Sequence, residues 1–299
     1  MKKKLLAMVL CAGMAFGLAG CDIISIDGET MGEATASIDG AIGLAVSTQN
    51  NPFFVDLANG AKSEAETKGV ELMVADAGDD PAKQTSDIED LISKGISVLI
   101  VNPVDSDAVA PAVQDAVAKG IKVIAVDRAV NGVDIDCSIA SDNVAGAEMA
   151  TEYLLSLVGE GADVAELQGT PGASAAIDRG QGFHNVADAK LKVVASQAAD
   201  FDRAKGLETM ENILQANPNI KGVFCANDEM ALGALEAIGG KDIVVVGFDA
   251  TDDAIAAIGE GKMAATVAQQ PAVMGATAVK TAVTLAAKAL PVAVTLVTE

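Results

Sequence analysis

The stretch Ala41–Phe54, AIGLAVSTQNNPFF, carries the pattern on which the fold turns. Its first six residues are apolar or small, too few for a helix, and polar turn chemistry bounds them, so they read as a buried strand. The tail of the stretch is harder to explain. A connecting loop needs turn residues and no rings, yet Phe53 and Phe54 stand side by side behind Pro52 in a chain that is only 3% aromatic.

Working outward, the same pattern returns nine more times. The runs VELMVAD, SVLIVNP, IKVIAVD, VDIDCSIA, ADVAELQG, LKVVASQ, IKGVFCAN, DIVVVGFD and MAATVAQ alternate with segments of helical period such as Ser86–Lys94, Asp107–Lys119 and Ala147–Leu157. Near-continuous apolar strands separated by helices predict an α/β chain of parallel sheets covered on both faces. Gly69, Gly95, Gly120 and Gly222 stand just before strands, where glycines that end helices belong. Ten or eleven strands exceed one small open sheet, so two doubly wound lobes are expected. No Pro/Ser-rich linker separates the halves. Near SIASDN (138–143) one strand runs straight into the second half, which points to a hinge.

Ligands of open parallel sheets bind outside the carboxyl ends of the strands, so the residues closing each run matter. They are Ser47 and Asn51, Asn102, Asp127 with Arg128, Asn227, Phe248 with Asp249, and Gln269. Taken singly, Asn and Asp are ordinary turn and helix-capping residues. Ser or Thr would cap equally well, whereas here planar forked groups recur. A fork grips two adjacent hydroxyls at fixed angles, and a ring offers a flat face to the C–H side of a sugar. Arg128 and Arg179 balance Asp127 and Asp249, which disfavours a strongly charged ligand such as a sugar phosphate. The set describes a site for a neutral polyhydroxylated molecule, with Phe53 and Phe54 as the platform and Asn51 at its edge.

The first twenty residues have a basic start, an apolar run from Leu5 to Leu18 and small residues before Cys21, the layout of a signal peptide. Leu18–Cys21 also has the form of a lipobox, which makes Cys21 the expected lipidated N-terminus of an exported lipoprotein, with residues 21–40 as a tether. The formal net charge is −22, and such a surface opposes nucleic acid and anionic headgroups as partners. Cys11 leaves with the signal. Cys137 and Cys225 lie far apart in apolar runs and read as buried free thiols, with no metal-ligand spacing around them.

The motifs STQNNPFF, VNPVDSDAV, VDRA, IASDN, AELQGTPGASAA, QAADFDRAKG, CANDEMALGAL, VVGFDAT and AATVAQQP resemble those of the sugar-binding proteins of ABC importers, which have a type I periplasmic-binding fold. The resemblance covers nearly the whole chain from about residue 41. It implies two lobes, 41–141 with 270–290 and 142–269 with 291–299, joined by three crossings and closing on a monosaccharide, with D-ribose the expected ligand. It carries ligand contacts onto Ser47, Asn51, Phe53, Phe54, Asn102, Asp127, Arg128, Arg179, Phe201, Asn227, Phe248, Asp249 and Gln269; Arg179 and Phe201 rest mainly on it. It also implies a permease and its ATPase as partners, with no cofactor; a monomer is expected, exported to the periplasm or held by the lipid of Cys21 at the outer face of the cytoplasmic membrane. Allose, another aldose or a furanosyl signal molecule stay open as ligands, as does a sensor role through a chemoreceptor or kinase. Two departures stand out. The C-terminal end is short, which leaves the third crossing open, and Ile177 stands where the family often has a basic residue.

Rival classes fare worse. His184 is the only histidine, and neither a GxSxG nor a P-loop spacing occurs. Asp127 and Asp249 could in principle form a glycosidase pair, but each sits beside planar hydrogen-bonding groups that suit binding. A sugar-responsive repressor would need a DNA-binding head in place of residues 1–40.

Overall fold

The computed structural model describes residue 38 and residues 40–287. The expected signal segment, Cys21 and nearly all of the tether lie outside the described residues. So do residues 288–299, on which the expected third crossing falls. Each predicted run is a strand: β1 (Ala41–Val46), β2 (Leu72–Asp76), β3 (Ile96–Val101), β4 (Lys122–Val126), β5 (Cys137–Ile139), β6 (Asp163–Gln168), β7 (Lys192–Ala198), β8 (Gly222–Cys225), β9 (Val244–Asp249) and β10 (Ala265–Ala268). The helices are α1 (Pro52–Lys68), α2 (Pro81–Ser93), α3 (Ala110–Ala118), α4 (Asn143–Val158), α5 (Ser174–Lys190), α6 (Arg203–Ala216), α7 (Asp228–Ile238), α8 (Asp252–Gly259) and α9 (Pro271–Ala286).

The strands form two wholly parallel sheets, in the orders β2-β1-β3-β4-β5 and β10-β9-β8-β6-β7. Counted from its own first strand, each half has the order 2-1-3-4-5, so the second half repeats the winding of the first. In that winding the direction of strand addition reverses between β1 and β3, and again between β6 and β8, and a ligand crevice opens at such a reversal.

Alternation along β1 divides the first lobe's core. Ile42, Leu44 and Val46 pack with Phe53, Phe54 and Leu57 of α1 and with Met274 and Val279 of α9. Ala41 and Ala45 face Leu99, Val101 and Val113 on the other side. In the second lobe Leu154, Phe183, Phe224 and Met230 anchor one continuous core. The chain leaves the first sheet at residues 140–142, between β5 and α4, and returns at Gln269–Gln270, because α9 packs on α1, β3 and β4. That packing needs glycines: a Cβ on Gly275 would lie 2.0 Å from the Leu57 carbonyl oxygen, and one on Gly60 would lie 2.1 Å from that of Ala272.

Local expectations hold unevenly. Gly69, Gly95 and Gly120 have φ of 65°, 81° and 80°, the left-handed turn that ends a helix. Gly222 is different: it is the first residue of β8, where its missing side chain leaves room for Leu154. Cys225 is buried and free, while Cys137, on the short edge strand β5, is free but only half-buried. β5 lies at the end of the sheet order, and an edge strand is covered on fewer sides than the central strands an apolar run suggests.

Candidate functional site

The carboxyl ends of the two sheets face a small, nearly closed cavity. The first lobe lines it with Asn51, Phe53, Phe54, Asp127 and Arg128, and the second with Ala175, Arg179, Phe201, Asn227 and Asp249. Ser47, Asn102, Phe248 and Gln269, also expected there, stand one layer back and hold the lining in place. A larger, open concavity lies at the opposite end of β9 and β10 and mixes Lys241, Lys262 and Glu260 with aliphatic side chains. Arg203, Glu236, Asp242 and Asp253 line it too, but it has neither the aromatic rings nor the side-chain amides that converge on the smaller cavity.

Asn51 caps α1, its Oδ1 accepting from the Phe53 N–H at 3.0 Å. Asn227 caps α7 by accepting from the Met230 N–H at 2.9 Å. Both residues are therefore capping groups and cavity groups at once, because the cap uses only the amide oxygen and the NH2 end points elsewhere. That of Asn227 donates to the Phe201 carbonyl at 3.2 Å. Asn102 is wholly buried. Its Oδ1 accepts from the Ser47 hydroxyl at 2.7 Å and the Ser47 N–H at 3.1 Å, and its Nδ2 donates to Asp127 Oδ2 at 3.3 Å. Ser47 and Asn102, at the ends of β1 and β3, thus fix the carboxylate that closes β4.

Two arginines cross the cavity. Arg128 donates to the Pro103 carbonyl at 2.9 Å, and its Nε lies 3.8 Å from Asp127 Oδ2. Its guanidinium stands over the rings of Phe54 and Phe201, at 5.1 and 5.3 Å from their centroids. Arg179 donates from Nε to Asn143 Oδ1 at 2.8 Å and from Nη1 to the Ala226 carbonyl at 2.7 Å. Its Nη1 lies 3.6 Å from Asp249 Oδ1, and the guanidinium rests 3.9 Å from the Phe248 centroid. Gln269 donates to Asp249 Oδ1 at 2.7 Å. Cation–π contacts hold both guanidiniums, with two hydrogen bonds fixing Arg179 and one fixing Arg128. Phe53 and Phe54 do not form a single floor: their planes meet at 86° with centroids 5.2 Å apart, so they make two walls.

Burial dominates the electrostatics. It raises the Asp127 carboxyl above its ordinary value despite Arg128, Arg179 and the Asn102 hydrogen bond. Asp249 is pushed up to about 8 by burial, with Asp228 adding to the rise while Arg179 and Gln269 oppose it. Burial likewise lowers Arg128. Taking these charges out of water is costly; the lining sets two carboxyl groups beside two guanidiniums, and burial favours the protonated form of Asp249 at neutral pH. Among the described residues, the buried side-chain polar atoms without a hydrogen-bond partner are Asp127 Oδ1, Arg128 Nε and Glu166 Oε1. The first two, an acceptor and a donor, belong to adjacent lining residues. Buried polar groups are nearly always satisfied, and this pair suits a hydroxyl, which accepts and donates together.

The backbone shows strain at the same place. Asp127, Phe201 and Asp249 have φ of 66°, 61° and 124°. For a phenylalanine this is uncommon, and such conformations concentrate at functional sites. Sequence reading missed this strain, together with Ala175, whose only signal is its place in the small-residue run GASAA. It also missed Asn143, visible only as the end of SIASDN. His184 lies outside the cavity, on α5, with Nδ1 2.8 Å from Asp188 and Nε2 3.2 Å from the buried Glu166. Among the described residues no cluster of three or more His, Cys, Asp or Glu is arranged to hold a metal.

Two winding-equivalent lobes with a polar, ring-walled cavity between their strand ends define a class of two-lobed binding protein. The sequence matches the periplasmic binding protein domain over residues 42–289, and the chain belongs to that family. Within it, the chain is 55% identical over 236 residues to the ribose import binding protein RbsB of Bacillus subtilis (strain 168), covering 78% of this chain and 77% of that protein. It is 49% identical over 246 residues to the protein of the same name from Escherichia coli (strain K12), covering 81% and 83%. Among solved structures, the Caulobacter myo-inositol binding protein bound to myo-inositol superposes with a TM-score of 0.79 at 33% identity, covering 87% of this chain and 90% of that one.

Proposed function

We propose that this protein captures one neutral monosaccharide, D-ribose, between its lobes and hands it unchanged to an ABC importer. The observation that carries the reading is the unpaired buried couple Asp127 Oδ1 and Arg128 Nε in a lining shared by both lobes. The relatives named for ribose import support ribose as the sugar.

Capture follows from the division of groups between the lobes. Asp127 and Arg128 belong to the first lobe, and Asn227, Arg179 and Asp249 to the second. A sugar gripped by both sets gains all its hydrogen bonds only when the lobes are together. That differential affinity drives closure; turning a 1:99 bias against the closed form into 99:1 takes about 5.5 kcal/mol. Phe54 and Phe201 wall the ring carbons while the arginines over their faces present donors at the rim. A phosphorylated sugar would have to carry two negative charges out of water into a small buried site, a desolvation cost that refuses it. The lipobox Leu18–Cys21 supports a lipid-anchored form that works at the outer face of the membrane, where an exported carrier meets its permease.

Calorimetric titration against ribose, allose, arabinose and ribose 5-phosphate tests the assignment. Tight one-to-one binding of ribose, weaker binding of the other free sugars and no heat from the phosphate are expected. Equal affinity across the panel, or none for ribose, would remove it.

A further inference from the structure

Ser141 and Asn143 lie on the first passage between the lobes, outside the cavity lining, and together they close a ring of polar contacts around Asp249. The Ser141 hydroxyl donates to Gln269 Oε1 at 2.7 Å. The other end of that amide donates to Asp249 Oδ1 at 2.7 Å. Asp249 is 3.6 Å from Arg179, Arg179 Nε donates to Asn143 Oδ1 at 2.8 Å, and Asn143 Nδ2 returns to the Ser141 carbonyl at 3.4 Å. Ser141 is half-buried and Asn143 is buried.

We propose that Ser141 and Asn143 are positioning residues that aim the two groups flanking Asp249, so that its carboxylate is presented to the sugar in one orientation. This rests on the sugar-site reading above. An amide has two unlike ends. With its oxygen held by Ser141, Gln269 turns its NH2 to the carboxylate; turned over, it would set oxygen against oxygen. Asn143 does the same for Arg179 by occupying Nε, which leaves Nη1 towards Ala226 and Asp249. Ser141 and Gln269 also sit on the outgoing and returning passages, so their bond ties the two connections together at the carboxylate that reads the ligand.

The experiment is ribose titration of the wild type, Ser141→Ala, Gln269→Ala and the double variant, with Ser141→Thr and Ser141→Val as a pair of equal shape that differ by the hydroxyl. The expected result is an affinity about fivefold weaker in Ser141→Ala and Ser141→Val, in keeping with one lost orienting hydrogen bond. Ser141→Thr stays within about twofold of the wild type, and Ser141→Ala has no further effect once Gln269 is gone. Full wild-type affinity in Ser141→Val, or the same fivefold loss in the Gln269→Ala background, overturns the proposal. Absence of ribose binding by the wild type itself overturns the sugar reading and this inference with it, which separates the two failures.

Discussion

Replacing Asp127 by asparagine changes one charge and one acceptor while keeping shape and backbone. Asp127 has φ 66°, a conformation asparagine adopts readily, so the turn after β4 should survive. Its Oδ2 accepts from Asn102 Nδ2 at 3.3 Å, and its Oδ1 has no partner. An amide must place its NH2 on one side or the other. On the Oδ1 side it removes the acceptor offered to the sugar; on the Oδ2 side it sets donor against donor at Asn102. Either way one hydrogen bond to a charged acceptor is lost, worth about 1.5–3 kcal/mol, which is about 10- to 150-fold in the dissociation constant. Calorimetry is the assay, since the chain has no Trp and a single Tyr to report binding by fluorescence. An Asp127→Asn affinity within twofold of the wild type would show that Asp127 does not touch the sugar, and the reasoning from the unpaired oxygen would be refuted.

Three further outcomes follow from the same structure. Asp249 is raised to about 8 and Asp228 to about 6, both by burial. Stability that depends on their protons is complete below about pH 4 and is lost as pH rises through 6 and then 8. The sugar-free protein should therefore melt about 3 °C or more lower at pH 8 than at pH 5, and Asp249→Asn should flatten that slope; an unchanged slope would contradict the burial argument. Gly275→Ala drives a methyl into the Leu57 carbonyl, forcing α9 off α1 at a cost of about 1–3 kcal/mol. Its melting temperature should drop, while Gly259→Ala, where a Cβ meets nothing within 4 Å, should match or exceed the wild type; the opposite ranking would count against the helix contact. Asn227→Ala removes the α7 cap and a cavity amide together, so it should lower both melting temperature and ribose affinity, the latter by about 2–4 kcal/mol; loss of stability alone would make Asn227 only a cap.

Much of this molecule is written in strand periodicity. Each of the ten apolar runs is a strand; for the central strands the reason is burial on both faces, which demands a continuous apolar run, while the edge strands β2, β5, β7 and β10 are only partly buried. Helix starts were less legible: α2 begins at Pro81, five residues before Ser86, because the cap at Asp80 and the proline behind it are polar and lie outside the apolar period. Residues closing the strands could be read because topology sends every carboxyl end to one crevice, so Asn51, Asp127, Arg128, Asn227 and Asp249 meet there although up to 198 positions separate them. What the sequence hides is direction. Nothing in its letters shows that Phe53 and Phe54 stand perpendicular, or that Asn102 turns to Ser47 and Asp127 behind the cavity wall. Positive φ at Phe201 is set by the tertiary frame against the residue's own preference. The ring through Ser141 and Asn143 depends on two passages that are 128 residues apart meeting side by side.

The central claim is that one sugar is shared by forked groups from both lobes. A crystal structure of the protein grown with D-ribose tests it most directly. The account predicts a single pentose between Phe54 and Phe201, hydrogen-bonded to Asp127 Oδ1 and Arg128 Nε on one side and to Arg179, Asn227 and Asp249 on the other. A sugar bound elsewhere, or held by the side chains of one lobe alone, would contradict it.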